Sequence, residues 1–310
     1  MEIDPRYLAQ LAAIAEHGSF SRAANALNLS QPALSSGIAQ LERRLGVRVL
    51  ERGRFGARLT IYGEALMRHW RVVSSQLKQA AEEMRLRTLG AEGPLVIGIS
   101  PVAGSSYVPE AVGRLRQIMP LISVNLIEKP SAELHAMLRE GELDLVVSPV
   151  GILPEVPDID DAVLLHDELG IVVRVGHPRY HSPTLALQDI DSRDWILPTQ
   201  FDSFRRQVES LFIASNLRWP GVAISANSMT AVKALVRHSD GVTIMTRSLI
   251  AVEIAAGMLR YVDIKGLNTR RSIGYSWLRS RGFSPVAEKF VGLLRDVANE
   301  ASEQMKSGAA

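Results

Sequence analysis

A short polar segment, Ser-Gln-Pro-Ala-Leu-Ser-Ser, carries the side chains of this chain that are best suited to reading nucleic-acid bases. Gln31 can form two hydrogen bonds with adenine, and the hydroxyls of Ser35 and Ser36 can bond bases or phosphates. Ser30 is typical of a helix N-cap, and Pro32 of a first helical turn. The segment therefore predicts the N-terminal end of a recognition helix, and the alternative is a plain capping cluster.

Phosphate-binding charge follows this segment directly. Between positions 43 and 58 six arginines are opposed only by Glu51: Arg43, Arg44, Arg48, Arg52, Arg54 and Arg58. Residues 1–90 hold 13 basic and 8 acidic side chains, whereas the remainder holds 22 and 25. This asymmetry favours a polyanion-binding N-terminal end, and the alternative is a solvated charged surface.

Helices must position these groups. Asp4-Pro5 predicts the start of a first helix that ends at Gly18, and a second helix is expected from Ser21 as its cap. A third runs from Ser30 to Gly46, with a buried stripe at 4-3-4 spacing: Leu34, Ile38, Leu41 and Leu45. Residues 47–59 then read as a hairpin, with Gly53 and Gly56 at the turn and Arg54 near its tip. A groove-docked helix with a basic hairpin beside it is typical of DNA binding.

A longer helix is expected to open at Thr60 and Gly63. Six apolar side chains on it follow 4-3-4-3-4 spacing, which is a heptad pattern: Leu66, Trp70, Val73, Leu77, Ala80 and Met84. The pattern predicts a coiled-coil dimer, and the alternative is an amphipathic helix that packs on its own domain. A dimer also suits the reading of two DNA half-sites.

Composition limits the class of protein. The 310 residues suit two or three folding units, and a composition of 46% hydrophobic and 22% charged residues is typical of a globular protein. There are no cysteines, which excludes disulfides, thiolate metal sites and a cysteine nucleophile. With neither a secretory signal nor an apolar run of about eighteen residues, the expected location is the cytoplasm.

No pattern typical of a catalytic or metal-binding site stands out in the sequence. His177 and His181 have the spacing of two ligands on a helix, but Pro178 and Pro183 make a solvated loop the better interpretation. No GxSxG, P-loop or GxGxxG pattern occurs. We therefore expect no enzyme, no metal and no cofactor.

Beyond a hinge near residues 89–94, strands alternate with helices. Residues 95–100 and 143–150 read as buried parallel strands, and residues 108–120 and 131–141 as helices. A second group of strands and helices covers residues 169–279, and residues 284–297 form a closing helix. The alternation predicts α/β architecture, with ligands at the carboxyl ends of strands. A solute-binding protein and an α/β enzyme with an appended helical domain are the alternatives.

Taken together, the N-terminal motifs resemble the LysR-type transcriptional regulators. The resemblance rests on these residues: Gly18-Ser19-Phe20, Ala23-Ala24, Leu27, Ser30-Gln31-Pro32-Ala33-Leu34-Ser35, Ile38, Leu41-Glu42, Leu45-Gly46, Glu51-Arg52, Leu59-Thr60 and Gly63. It continues more loosely over almost the whole chain. It departs at Ser36-Gly37, where many relatives place a basic and a larger polar residue, so phosphate contacts and DNA shape would carry more of the specificity.

The resemblance implies a multidomain α/β protein. Its parts would be a winged helix-turn-helix domain (1–62), a linker and dimerisation helix (63–89) and an effector-binding domain (90–310) folded like a periplasmic binding protein. The two lobes would be 94–162 with 269–300, and 163–268, with chain crossings near 161–163 and 264–269.

The resemblance also implies sites and partners. DNA would be contacted by Ser21, Ser30, Gln31, Pro32, Ser35, Ser36, Arg43, Arg52 and Arg54. A small, anionic co-inducer would lie between the lobes, near Ser100, Val102, Ser131, Ser148, Thr199, Phe201, Arg205, Asn227 and Met229. Hydroxyls capping helices at Ser100 and Ser131 suit a carboxylate or sulfonate, with Arg205 as counter-charge. The expected partners are promoter DNA, further copies of the chain up to a homotetramer, and RNA polymerase, with no membrane.

Overall fold

The computed structural model describes residues 3–53, 56–89, 92–105, 107–151, 158–199, 203–221 and 224–307. Two units are distinguished: Met1–Glu82 with Arg139–Glu142, and Glu83–Leu138 with Leu143–Ala310. Each contains a buried apolar core of its own. None of the helices in the described ranges is long and apolar enough to cross a membrane.

The N-terminal unit begins with three helices, α1 (Pro5–His17), α2 (Phe20–Ala26) and α3 (Gln31–Leu45). The first starts as predicted, because an Asp4 carboxylate oxygen accepts the N–H of Arg6 over 2.9 Å. Gly18 and Gly46 end α1 and α3 with φ of 67° and 71°, the left-handed conformation that glycine adopts without strain. The Oγ of Ser30 caps α3 by accepting the N–H of Ala33 over 3.3 Å.

The cap of α2 differs from the prediction. The Oγ of Ser19 accepts the N–H of Arg22 over 3.2 Å, so Ser19 is the cap and Ser21 lies exposed inside the first turn. Because Gly18 already reverses the chain, the next residue is free to take the extended conformation that an N-cap requires. The prediction that Ser21 caps this helix was therefore wrong by two residues.

An antiparallel hairpin follows α3, in which β1 (Leu50–Gly53) pairs with β2 (Gly56–Leu59). The N–H of Ala57 donates to the carbonyl of Gly18 over 3.1 Å. Gly56 has a φ of 115°, and a β-carbon there would overlap that carbonyl. Glycine at this position thus allows the hairpin to pack against the end of α1.

The long helix α4 (Ile61–Thr88) starts where the Oγ1 of Thr60 accepts the N–H of Gly63 over 3.2 Å. Leu66, the first member of the heptad stripe, packs on the helix-turn-helix core. Further along the stripe Val73, Leu77 and Met84 are exposed by 39%, 56% and 55%. Such an apolar stripe on one face is the pattern of a helix that pairs with a second helix, so the dimer stays a prediction.

Parallel strands open the second unit, with β3 (Glu92–Ile99) between β4 (Ile122–Glu128) and β5 (Leu145–Val150). The connections hold α5 (Pro101–Ser105), α6 (Tyr107–Ile118) and α7 (Ser131–Arg139). Because parallel strands end at the same edge of a sheet, the segments that follow β3 and β4 come together there.

Two antiparallel strands continue this sheet, β6 (Ile159–Arg174) and β12 (Arg270–Leu278). On one side β12 pairs with β5, and on the other with the first ten residues of β6. The rest of β6 pairs with β10 (Thr243–Thr246) and β11 (Leu259–Ile264). The sheet is therefore mixed and joins both halves of the unit.

The first chain crossing lies further along than predicted. Residues 161–163 sit well inside β6, and the change of pairing partner falls between Glu168 and Leu169. Side chains in this segment alternate between more and less exposed faces of one continuous strand, so the chain does not cross there. The second crossing, between β11 and β12, falls within residues 264–269.

The remaining elements border the sheet: β7 (Thr184–Leu185), β8 (Ile196–Pro198), α8 (Ser203–Ala214), β9 (Ile224–Ala226), α9 (Met229–His238), α10 (Ala251–Ala255) and α11 (Pro285–Ser307). One core cluster includes Leu95 and Tyr275 from the first half of the unit and Ile196 and Met245 from the second. The two halves therefore share buried apolar side chains.

Candidate functional sites

A cavity of about 310 Å³ lies within the second unit, at the carboxyl ends of β3 and β4. Its walls come from both halves of the unit: Ser100, Pro101, Val102, Glu128, Lys129, Pro130, Ser131, Pro149, Thr199, Phe204, Gln207, Asn227, Met229, Thr246, Leu249 and Arg271. Its volume is at the small end of the range typical of small-molecule sites.

Six of the nine residues expected around the effector line this one cavity: Ser100, Val102, Ser131, Thr199, Asn227 and Met229. Their roles differ in detail from those expected. The Oγ of Ser100 is buried and has no hydrogen-bond partner among the described residues. Ser131 is the first residue of α7 rather than its cap. Both residues thus line the cavity, and neither has the N-cap role that was expected of it.

Two further expected residues do not line it. Ser148 is fully buried one position before the lining residue Pro149, because alternation along β5 turns its side chain to the other face. Phe201 lies outside the described residues. Phe204 and Gln207, on the first turns of α8, contribute to the wall instead.

Arg205 does not occupy the position of a counter-charge in the cavity. Its guanidinium carbon lies 4.0 Å from the centre of the Trp219 ring, and its Nη2 is 3.6 Å from a carboxylate oxygen of Glu209. On a helix, successive residues point in directions about 100° apart, so Arg205 leaves the face that carries Phe204 and Gln207. The expectation that Arg205 faces the effector is corrected on this ground.

Among the described residues, two cations line the cavity: Lys129, which is exposed and pairs with Glu133 over 2.9 Å, and Arg271 at the start of β12, which was not expected from the sequence. Arg271 is the buried one, with 8% of the residue exposed. Nη1 donates to Oε1 of Gln207 over 2.9 Å, whereas Nε and Nη2 have no partner among the described residues. The Phe204 ring centre is 5.7 Å from its guanidinium carbon. Burial lowers the pKa of Arg271 to about 10, against the opposing effect of Asp167, so it is charged at neutral pH.

A signal for Arg271 does exist in the sequence. Arg271, Ile273 and Tyr275 alternate along the strand, and the two apolar members are buried. Period-two alternation places all three on one face, which sets Arg271 among core positions and its neighbour Arg270 on the exposed face. Arginine is rarely buried, so an arginine at a position of the buried face is the signal that the sequence offers.

Asp167 is the residue opposite Arg271 across β6 and β12. Its carboxylate accepts a short hydrogen bond from the Oγ of Ser248 and a second one from the N–H of Glu168, at 2.9 Å. Ser248 in turn lies 3.1 Å from the Oγ1 of the lining residue Thr246. This acid is therefore already bound on both of its oxygens.

On the N-terminal unit, the exposed start of α3 presents the expected base-contacting residues. Gln31, Pro32 and Ser36 are exposed and Ser35 is half-buried. Arg43, on the last turns of α3, is exposed as well. The side chain of Arg52 and all of Arg54 lie outside the described residues.

Gly37, part of the departure noted in the sequence, has a packing explanation. It is buried where α3 faces α1, and a β-carbon there would overlap the side-chain oxygen of Gln10. That oxygen is buried and has no hydrogen-bond partner among the described residues. The glycine therefore makes room for Gln10.

Ring nitrogens of His177 and His181 contact groups of the chain itself. Residues 177–181 form the expected loop with His181 exposed, but His177 is only 1% exposed. Its Nε2 lies 3.0 Å from the carbonyl of Asp240, and its Nδ1 accepts the N–H groups of Arg179 and Tyr180. Its ring holds the loop in place. Across the described ranges, no group of three or more metal-ligating side chains occurs.

Comparison with known proteins gives two family matches. The family described as "Bacterial regulatory helix-turn-helix protein, lysR family" matches residues 5–64, and the "LysR substrate binding domain" matches residues 89–299. The SDS degradation transcriptional activation protein of a Pseudomonas species is 34% identical over 297 residues, covering 94% of this chain and 96% of its own length. The regulator GbpR of Azospirillum brasilense is 31% identical over 295 residues, covering 94% and 85%.

Solved structures show the same fold. Full-length CbnR in complex with its target DNA matches with a TM-score of 0.66 at 23% identity, covering 95% of this chain and 100% of its own. A peroxide-bound cysteine mutant of OxyR from Corynebacterium glutamicum gives 0.60 at 26% identity, covering 100% and 97%. These relatives are regulators and not enzymes. The chain belongs to the LysR family of bacterial transcriptional regulators, with an N-terminal DNA-binding domain and a C-terminal effector-binding domain.

Proposed function

We propose that this protein is an effector-responsive promoter-binding regulator, in which a small anion held in the cavity alters how the protein sits on DNA. The observation that carries the proposal is the convergence of polar side chains from both halves of the second unit on one cavity, such as Ser100 and Ser131 from one half and Thr199 and Asn227 from the other. A ligand that contacts both halves binds one of their relative arrangements more tightly than another, and so shifts the population.

DNA contact would be shared between two sets of side chains. Gln31 and Ser36 on the exposed face of α3 would reach base edges, and Arg43, Arg52 and Arg54 would contact phosphates. The exposed apolar stripe of α4 supports a dimer that places two such helices on successive half-sites. A tetramer built from two dimers would bend the promoter, and a change in that bend would alter access for RNA polymerase. Since promoter DNA is the target, the site of action would be the cytoplasm.

Binding of labelled DNA from upstream of the protein's own gene, followed by fluorescence anisotropy, tests this proposal. We expect binding that weakens steeply between about 50 and 200 mM salt, together with a preference for the specific sequence. Aromatic acids, sulfonates, sugar acids and their neutral analogues would then be added to the complex. Salt-independent binding, or a complex that no compound alters, would contradict the proposal.

A further inference from the structure

The wall of the cavity holds a positive charge that its own surroundings do not neutralise. Arg271 uses one guanidinium nitrogen on Gln207, and the other two have no partner among the described residues. Buried guanidinium groups are normally paired and fully hydrogen-bonded, because leaving donors unmatched in a low-dielectric site is costly. This site therefore lacks an acceptor.

The acidic residues nearby do not supply it. Asp167 is opposite Arg271 in the sheet, but its oxygens accept from Ser248 and from the N–H of Glu168, and no ion pair joins it to Arg271 among the described residues. Glu128, the acidic residue of the cavity wall, is exposed at the end of β4. The charge of the guanidinium is thus only partly offset.

The two unmatched donors have a defined geometry. Nε–H and Nη2–H of arginine point in parallel from the same edge of the planar group, which matches two oxygens of a carboxylate, sulfonate or sulfate. Ser100, with an unmatched buried hydroxyl, lines the same cavity. An oxyanion with two or three oxygens would satisfy both groups.

The rest of the wall is suited to an apolar body. Val102, Leu249, Met229 and Phe204 line it together with three prolines, Pro101, Pro130 and Pro149. A fully hydrophilic ligand would leave its own polar groups unpaired against these side chains. Apolar surface removed from water adds affinity in proportion to its area.

We infer that the ligand is an amphipathic oxyanion, with its charged head on the Nε–Nη2 edge of Arg271 and an apolar chain or ring against Val102, Met229 and Leu249. Arg271 is then the residue that selects anions over neutral compounds. The inference rests on the proposed function only in taking this cavity as the effector site.

The test uses the full-length protein and measures the shift in Tm and, by calorimetry, the Kd. The probes are benzoate, benzenesulfonate, hexanoate and hexyl sulfate, their neutral counterparts benzamide, benzenesulfonamide, hexanamide and hexanol, and the bare heads acetate and inorganic sulfate. We expect at least one amphipathic anion to raise the Tm and bind about 30-fold or more tightly than its neutral counterpart, and the bare heads to have no effect at the same concentration.

Arg271→Met should remove this selectivity, and Arg271→Lys, which keeps the charge but loses the two-donor edge, should restore only part of it. Arg270→Met is the matched control, because it removes the same charge from the adjacent, exposed position of the strand. The Tm without ligand is measured for each variant to confirm folding. A second variant keeps the guanidinium: Gln207→Glu places a carboxylate beside it and should also weaken anion binding.

Three outcomes overturn the inference. They are neutral compounds that bind as well as anions, a folded Arg271→Met that keeps the preference for anions, and a wild-type protein that binds none of the amphipathic anions. The first two leave the effector-responsive regulator of the proposed function intact and change only the charge of its ligand or the residue that selects it. If no compound, anionic or neutral, alters promoter binding, both the inference and the proposed function are contradicted.

Discussion

Asp167 and Arg271 lie directly opposite each other on β6 and β12, yet each hydrogen-bonds to a different partner, Ser248 for the carboxylate and Gln207 for the guanidinium. The carboxylate still stabilises the guanidinium charge through space and raises its pKa. The pair therefore behaves as two charges that attract without contact.

The first prediction follows from this attraction. Asp167→Asn removes a negative charge that repels a bound anion, so the Kd for anions should fall several-fold. This change corresponds to about 1 kcal/mol of Coulomb energy. Glu168→Gln, on the adjacent and exposed position of the strand, should leave the Kd unchanged. Calorimetric titration with whichever anion of the panel binds wild type most tightly measures both, and weaker binding by Asp167→Asn would contradict the prediction.

The second prediction concerns pH. Arg271 has a folded pKa of about 10, below its unfolded value, so the buried charge costs stability at neutral pH. In the absence of ligand, the free energy of unfolding of Arg271→Met should therefore exceed that of wild type by about 1–4 kcal/mol. Above pH 10 the folded wild-type protein loses this proton while the unfolded chain keeps it, so the wild type gains relative stability and the difference shrinks. Denaturant titrations between pH 7 and 11 measure the difference in free energy of unfolding between the two proteins. A difference that stays constant over this range would contradict a lowered pKa for Arg271.

The third prediction separates base reading from phosphate binding. Gln31→Ala should relax the preference at one base pair by about 1–3 kcal/mol, whereas Arg54→Ala should weaken binding to all sequences alike and lower the salt slope by about one. Anisotropy with wild-type and single-substituted operators across a salt series measures both quantities. An unchanged specificity ratio for Gln31→Ala would show that this side chain does not read bases.

The fourth prediction compares two helical glycines. Gly37→Ala displaces only the flexible end of Gln10 and gains about 1 kcal/mol of helix propensity, so it should not lower the stability of the N-terminal unit. Gly63→Ala would overlap the backbone carbonyl of Val49, which cannot move freely, and should destabilise that unit. Thermal unfolding of the two variants tests the contrast, and equal losses would count against the packing explanation.

The fifth prediction tests the stripe on α4. Leu77→Glu places a charge on the predicted seam and should dissociate dimers, whereas Lys78→Glu, on the outer face of the same turn, should not. Sedimentation velocity over a concentration series distinguishes the two. Dimers that persist in Leu77→Glu would favour the alternative of a helix without a coiled-coil partner.

Most elements could be predicted from sequence because their signals are local. The Asp4-Pro5 start, the glycine ends at positions 18 and 46 and the parallel strands around Ile97 and Val147 each depend on a few neighbouring residues. The cap of α2 was misassigned because two serines compete within three positions, and only the geometry after Gly18 selects Ser19. Local signals of this kind fix element type better than element boundary.

The cavity was harder to predict because its chemistry depends on contacts between distant segments. Ser100 and Ser131 could be placed from strand ends, whereas the charge of Arg271 acquires meaning only through Gln207, 64 positions away. Arg205 looked equally suitable in sequence, but its guanidinium packs on the ring of Trp219 and does not line the cavity. Contacts with residues distant in sequence therefore determine which of these two arginines lies in the cavity.

The continuity of β6 limits how the second unit can respond to a ligand. A loop between two lobes can swing through a wide angle without breaking hydrogen bonds, but residues on either side of Leu169 are paired to neighbouring strands, and its own N–H donates to the carbonyl of Thr269. The shared apolar core would also be exposed by wide opening. Any movement between the halves of this unit that a ligand favours would therefore have to keep these strand hydrogen bonds and this shared core intact.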